Sequence, residues 1–161
     1  IGKSTLLLQV ALHLNDKKVL YVSGEESQQQ IKMRADRIGI KNDNCLILTE
    51  TDTQDILKNV KESMPDIMII DSIQTLESPS VEATAGSISQ IRETAAEMNK
   101  IAKALQIPVF LIGHITKDGT IVVKVSVTNS DAGAISSPTC TKILSKALGS
   151  RRYSLSACTS T

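Results

Sequence analysis

Aromatic residues are scarce in this chain: one Phe, two Tyr and no Trp among 161 residues. A sequence so poor in π-faces does not build a stacking platform for single-stranded nucleic acid. A charge excess is also missing. Eighteen Lys and Arg against 17 Asp and Glu leave a formal net charge of +1, so no basic surplus announces a nucleic-acid partner. No apolar run approaches the roughly 18 residues needed to span a bilayer. The three cysteines, Cys45, Cys140 and Cys158, lie far apart with no C-x-x-C pair. That spacing excludes a disulfide framework and a zinc site, and it suits a reducing compartment. The first residue is Ile rather than Met, so the start is expected to be cut off and an upstream targeting segment to be missing from view. What is present, 41% hydrophobic and 22% charged residues over one domain's length, reads as a folded globular chain.

Charge and composition change sharply near Gly119. Residues 1–119 hold 13 Lys/Arg and 16 Asp/Glu, whereas residues 120–161 hold five basic residues and one acid, Asp131. The second stretch has no Glu and is dense in Ser and Thr. We therefore divide the chain into a core, 1–119, and an atypical tail, 120–161. In the core, apolar residues at helical spacing predict helices over Ser4–Leu14, Glu26–Ile38, Thr53–Met64 and Ser89–Leu105. Thr53 is the expected cap of the third, and His13 on the first is expected to face solvent. Short apolar runs, Val19–Val22, Cys45–Leu48, Ile67–Ile70 and Pro108–Ile112, predict buried strands between them. The alternation predicts an α/β fold, a mostly parallel sheet with helices on both faces. Residues 121–128 alternate weakly as a further strand.

Four segments carry chemistry. Ile1-Gly2-Lys3-Ser4-Thr5 matches the end of the phosphate-binding loop G-x-x-x-x-G-K-[ST]. Gly2 would let the backbone approach phosphates, with Thr5 in the same cradle of N–H groups. Lys3 would reach the β- and γ-phosphates of ATP, and the Ser4 hydroxyl would hold Mg²⁺. Alone, the segment is a weak signal, since such residues recur by chance, and the alternative is an ordinary helix start with a Ser/Thr cap. Ile67-Met68-Ile69-Ile70-Asp71-Ser72 is a strand ending in a carboxylate, the place where Asp71 would orient Mg²⁺ and its water; the alternative is a helix cap at Asp71 or Ser72. Val19-Leu20-Tyr21-Val22-Ser23-Gly24-Glu25-Glu26 ends in paired acids, of which Glu25 is the candidate to polarise an attacking water. The alternative places both acids in the first turn of the next helix, where the macrodipole favours them. The fourth strand ends in Gly113-His114 and continues Ile115-Thr116-Lys117, so His114 and Lys117 are candidate contacts for the γ-phosphate. Between the second motif and the long helix, residues 78–87 read either as a plain surface loop or as a mobile segment that touches DNA or a neighbouring subunit.

Together these segments resemble the RadA (Sms) family of bacterial and plastid DNA repair ATPases, relatives of the RecA recombinases. The resemblance rests on the run from Ile1 to Gln9, on Tyr21-Val22-Ser23-Gly24-Glu25-Glu26-Ser27, on Ile70-Asp71-Ser72-Ile73-Gln74-Thr75, on Gly86 to Glu93, and on Gly113-His114-Ile115-Thr116-Lys117. It extends from Ile1 to about Ile121. It implies a RecA-like P-loop NTPase in which Glu25 and Lys3 are catalytic. It also implies a DNA-dependent ATPase using Mg²⁺, acting as a homo-hexamer on single-stranded or branched DNA, beside a recombinase, to drive branch migration. The location implied is the bacterial cytoplasm or a plastid. Zinc is implied only for a four-cysteine module preceding the core. A replicative helicase or clock-type ATPase of the same fold is the nearest alternative, and a nucleotide- or DNA-binding remnant without turnover is another. After Ile121 the sequence departs from the family pattern.

The chain starts inside the phosphate loop, so the strand that leads into that loop is expected to be missing. Its neighbours would then expose unpaired backbone groups, each costing about 1–3 kcal/mol if buried. The 161 residues are therefore expected to be unstable or aggregation-prone and to bind ATP poorly, with the segment 121–128 either filling the gap or leaving the sheet open.

Overall fold

The computed structural model describes residues 2–113 and the backbone of 123–126. Their order is α1 (Lys3–His13), β1 (Val19–Ser23), α2 (Gln28–Ile38), β2 (Cys45–Thr49), α3 (Thr53–Ser63), β3 (Ile67–Asp71), a 3₁₀ turn (Ile73–Thr75), α4 (Ile88–Leu105), β4 (Val109–Ile112) and β5 (Val123–Ser126). The sheet runs β2-β1-β3-β4-β5. The first four strands are parallel, and β5 pairs antiparallel with β4, Ile112 opposite Val123 and Val109 opposite Ser126. The short segment expected between 121 and 128 thus gives β4 a partner on its second side.

Strand residues divide by parity, as a two-sided parallel sheet requires. Val19, Tyr21, Ile67, Ile69, Phe110 and Ile112 pack with Leu7, Leu8, Val10 and Ala11 of α1 and Ile31 of α2. Leu20, Val22, Met68, Ile70, Val109 and Leu111 pack with Ile56 and Val60 of α3 and Met98, Ile101 and Ala102 of α4. Central strands β1 and β3 are buried along their whole length, while β2 at the edge is partly open, with Leu46 exposed. Each sheet face is therefore covered by one pair of helices.

Helix ends differ in detail from the periodicity. The second helix begins at Gln28, not Glu26, because Ser27 makes a capping box: its hydroxyl accepts from the Gln30 N–H while the Gln30 side chain accepts from the Ser27 N–H. Glu25 and Glu26 therefore lie ahead of the helix rather than in its first turn. The third helix is capped by Asp52, whose carboxylate accepts from the Gln54 N–H at 2.7 Å; Thr53 is the first helical residue and is buried. His13 is half-buried rather than solvent-facing, its Nδ1 2.8 Å from the Gln9 carbonyl oxygen. The loop over 78–87 is tied down. The Gln90 side chain, 2% exposed, accepts from the Ser78 N–H and donates to the carbonyls of Ser78, Val81 and Ala83. Among the described residues no helix is long and apolar enough to cross a membrane.

Candidate nucleotide site

All four parallel strands point their carboxyl ends to one edge of the sheet, and the start of α1 lies there too. Gly2 caps α1 in the left-handed region, at φ 86°, and among the described residues no side chain caps the free N–H groups of the first turn. A glycine suits that backbone angle, and a Cβ added there would meet nothing within 4 Å. The first-turn N–H groups of Lys3, Ser4 and Thr5 have no partner within the helix, which leaves an open anion site at its positive end. The Lys3 ammonium donates to the carbonyl of Gly113, the residue that follows β4. The loop lysine and the end of β4 are thereby neighbours although 110 residues separate them.

Asp71 is 4% exposed at the last position of β3, and Ser72 after it is fully buried. The Tyr21 hydroxyl donates to Asp71 Oδ2 at 2.6 Å and lies 3.4 Å from the carbonyl oxygen of Ser4. One phenol on β1 therefore touches both segments that the sequence assigned to Mg²⁺. Burial first, and then the adjacent Asp71 charge, push the Tyr21 phenol far above the usual tyrosine range; the Arg34 guanidinium nearby acts in the opposite direction. Tyr21 stays protonated, so the phenol donates and the carboxylate accepts.

The paired acids separate by environment. The Glu25 carboxylate is exposed at the carboxyl edge and accepts a hydrogen bond of 2.6 Å from the Ser72 hydroxyl. Glu26 is half-buried, turns away and forms an ion pair with Arg34 of α2. Of the two, only Glu25 is in contact with the segment bearing Asp71. The turn carrying it packs tightly: the Gly24 N–H donates to the Asp71 carbonyl, and a Cβ on Gly24 would sit 2.3 Å from Thr75 Oγ1.

The structure thus brings Gly2, Lys3, Ser4, Thr5, Asp71 and Glu25 to one edge. His114 and Lys117 lie outside the described residues; Gly113, immediately before them, reaches that edge. Sequence reasoning missed Tyr21, Ser72 and Arg34. The available signal for Tyr21 was a lone hydroxyl in the apolar run 19–22; Ser72 and Arg34 carried none. No group of three or more His, Cys, Asp and Glu side chains that could hold a metal occurs among the described residues. The donor set at the edge is instead one carboxylate and one hydroxyl beside an anion site. That set fits Mg²⁺, which binds through one or two carboxylates together with nucleotide phosphates.

The profile of the AAA domain matches residues 1–120. DNA repair protein RadA of Bacillus subtilis (strain 168) is 50% identical over 123 residues, which cover 75% of this chain and 27% of that protein. DNA repair protein RadA of Aquifex aeolicus is 47% identical over 122 residues, 75% of this chain and 28% of the relative. The RadA of Chlamydia muridarum is 50% identical over 123 residues, with 75% and 27% covered. The chain spans about a quarter of the length of the curated relatives it matches. The four parallel strands with helices on both faces and this match together give the RecA-like P-loop α/β fold.

Proposed function

Since the chain belongs to the AAA domain family, we propose that its core binds ATP with Mg²⁺ and hydrolyses it, as part of a DNA repair ATPase of the RadA type. The observation that supports this most directly is the meeting of the α1 N-terminus, Lys3, Asp71 and Glu25 at one carboxyl edge. Ligands of open parallel sheets bind at that edge.

Each group has a task set by its chemistry. The first-turn N–H groups after Gly2 donate to the phosphate oxygens. Lys3 exchanges the Gly113 carbonyl for the β- and γ-phosphates, a charge-assisted bond replacing a neutral one. Ser4 and Asp71 would hold Mg²⁺, which when bound would neutralise charge developing on the phosphates. Glu25, exposed at the edge and restrained by Ser72, orients the attacking water and accepts its proton. His114 and Lys117 extend the reading as contacts to the γ-phosphate. In the complete assembly the cycle drives branch migration on single-stranded or branched DNA, in a homo-hexamer working with a recombinase. The domain division at Gly119 belongs to the same proposal.

Two variants test the site. Lys3→Ala should abolish binding of a fluorescent ATP analogue, because the loop loses its only side-chain cation. Glu25→Gln should leave that binding intact and lower single-turnover hydrolysis by about 10²–10⁴-fold. Unchanged affinity in the first variant would refute the phosphate-loop assignment. Nucleotide binding by the wild type with no turnover, with or without DNA, would favour a binding module over an enzyme.

A further inference from the structure

We propose that Tyr21 is a positioning residue for the metal-binding carboxylate: its phenol fixes one oxygen of Asp71 and leaves the other for Mg²⁺. The inference deepens the nucleotide reading above and rests on it.

The argument begins with where a hydroxyl is tolerated. Tyr21 lies at the centre of β1, a strand flanked by β2 and β3, with Ile47 and Ile69 as its register partners. It is fully buried, as are Val19 and Val22, and it packs in the cluster formed with α1 and α2. Apolar packing would be served by Phe. A hydroxyl there must be given a partner, since an unpaired buried polar group is costly. Its partner is another group rarely buried, the Asp71 carboxylate at 4% exposure.

The geometry of that pair is directional. Tyr21 binds Oδ2 at 2.6 Å, the short distance of a charge-assisted bond. The phenol engages Oδ2 and does not take up the other oxygen, Oδ1. The same hydroxyl lies 3.4 Å from the Ser4 carbonyl, so the pin spans strand β3 and the first turn of α1. Groups that orient a metal's ligands from behind typically change metal affinity by 10–100-fold when lost. Tyr21 stands in that relation to Asp71, and it does so from a different strand. The carboxylate angle is consequently set by the β1–β3 register rather than by the loop after Asp71 alone.

The test is a MgCl₂ titration at fixed fluorescent ATP analogue, on the whole chain and on Tyr21→Phe. The variant should raise the Mg²⁺ concentration at half-saturation about tenfold. Analogue affinity in EDTA should stay unchanged, which separates lost metal orientation from general damage to the phosphate loop. In an Asp71→Asn background, where Tyr21 has no carboxylate to orient, adding Tyr21→Phe should shift the remaining Mg²⁺ dependence no further. An unshifted midpoint in Tyr21→Phe, a parallel loss of affinity in EDTA, or a further shift in the Asp71→Asn background would each overturn the proposal. A wild type that binds the analogue without any Mg²⁺ dependence would instead refute the nucleotide reading on which it stands.

Discussion

Replacing Gln90 by Met should loosen the segment over 78–87 while leaving the sheet intact. The two side chains have similar length, so packing on the inner face of α4 changes little. The loss is polar. Gln90 Oε1 accepts from the Ser78 N–H at 3.0 Å, and its Nε2 donates to the Ser78, Val81 and Ala83 carbonyls at 3.2, 3.0 and 3.0 Å. Val81 and Ala83 are near solvent, so water can take over their carbonyls. Ser78 is 2% exposed, so its N–H is left buried and unpaired, while its carbonyl still accepts from the Val81 N–H at 3.3 Å. One such group costs about 1–3 kcal/mol, which sets the expected loss. For a domain of this size that corresponds to a fall in melting midpoint of about 3–10 °C. Hydrogen exchange is the sharper assay: the Ser78 amide should lose protection in Gln90→Met, whereas amides of β1 and β3 change only by the global shift. Equal protection of Ser78 in both chains, at an unchanged melting midpoint, would refute the reasoning. It would mean that the loop's order comes from its own turns and from the Ser78 hydroxyl on Glu97.

Three other outcomes follow from local geometry. Gly24→Ala should destabilise by about 1–3 kcal/mol in urea melts, because its Cβ would lie 2.3 Å from Thr75 Oγ1 and 2.8 Å from Thr51 Cγ2; an unaltered midpoint would show that these neighbours yield freely. Asp52→Ala should cost about 1 kcal/mol by removing the α3 cap, and a melt as stable as wild type would return the capping role to another residue. Burial raises the Cys45 thiol to about 11 from an ordinary 9.0. The folded chain therefore keeps the proton where the unfolded chain has lost it. Stability linked to this thiol is full below about pH 9 and falls as pH rises toward about pH 11. In a Cys140→Ser, Cys158→Ser background, Cys45 should react with an aromatic disulfide at pH 8 far more slowly when folded than in urea. Equal rates would contradict that burial.

Much of the fold could be read from periodicity. Short apolar runs alternate with amphipathic segments, and runs of four or five buried residues have only one economical arrangement, a parallel sheet covered on both sides. Helix starts were less legible, because caps compete locally. Ser27 with Gln30 outcompetes Glu26, and Asp52 outcompetes Thr53, through bonds that pattern counting does not see.

The sequence by itself determined the alternation of elements and the residue types of the candidate site: a Gly-Lys-Ser-Thr helix start, a strand ending in Asp71, a strand followed by Glu25. These depend on covalent neighbours and on spacing along one chain, so they survive without any tertiary information. Only the tertiary structure decided which groups act on one another. The β1–β3 register places Ser23 opposite Asp71, which puts Glu25 in reach of Ser72 and Tyr21 in reach of Asp71. The packing of α2 separately pairs Glu26 with Arg34, which parts the two adjacent acids. The pairings of Glu25 with Ser72 and of Tyr21 with Asp71 join residues 47 and 50 positions apart, and their partners are fixed by sheet register, which the linear pattern constrains only through the sum of all its contacts.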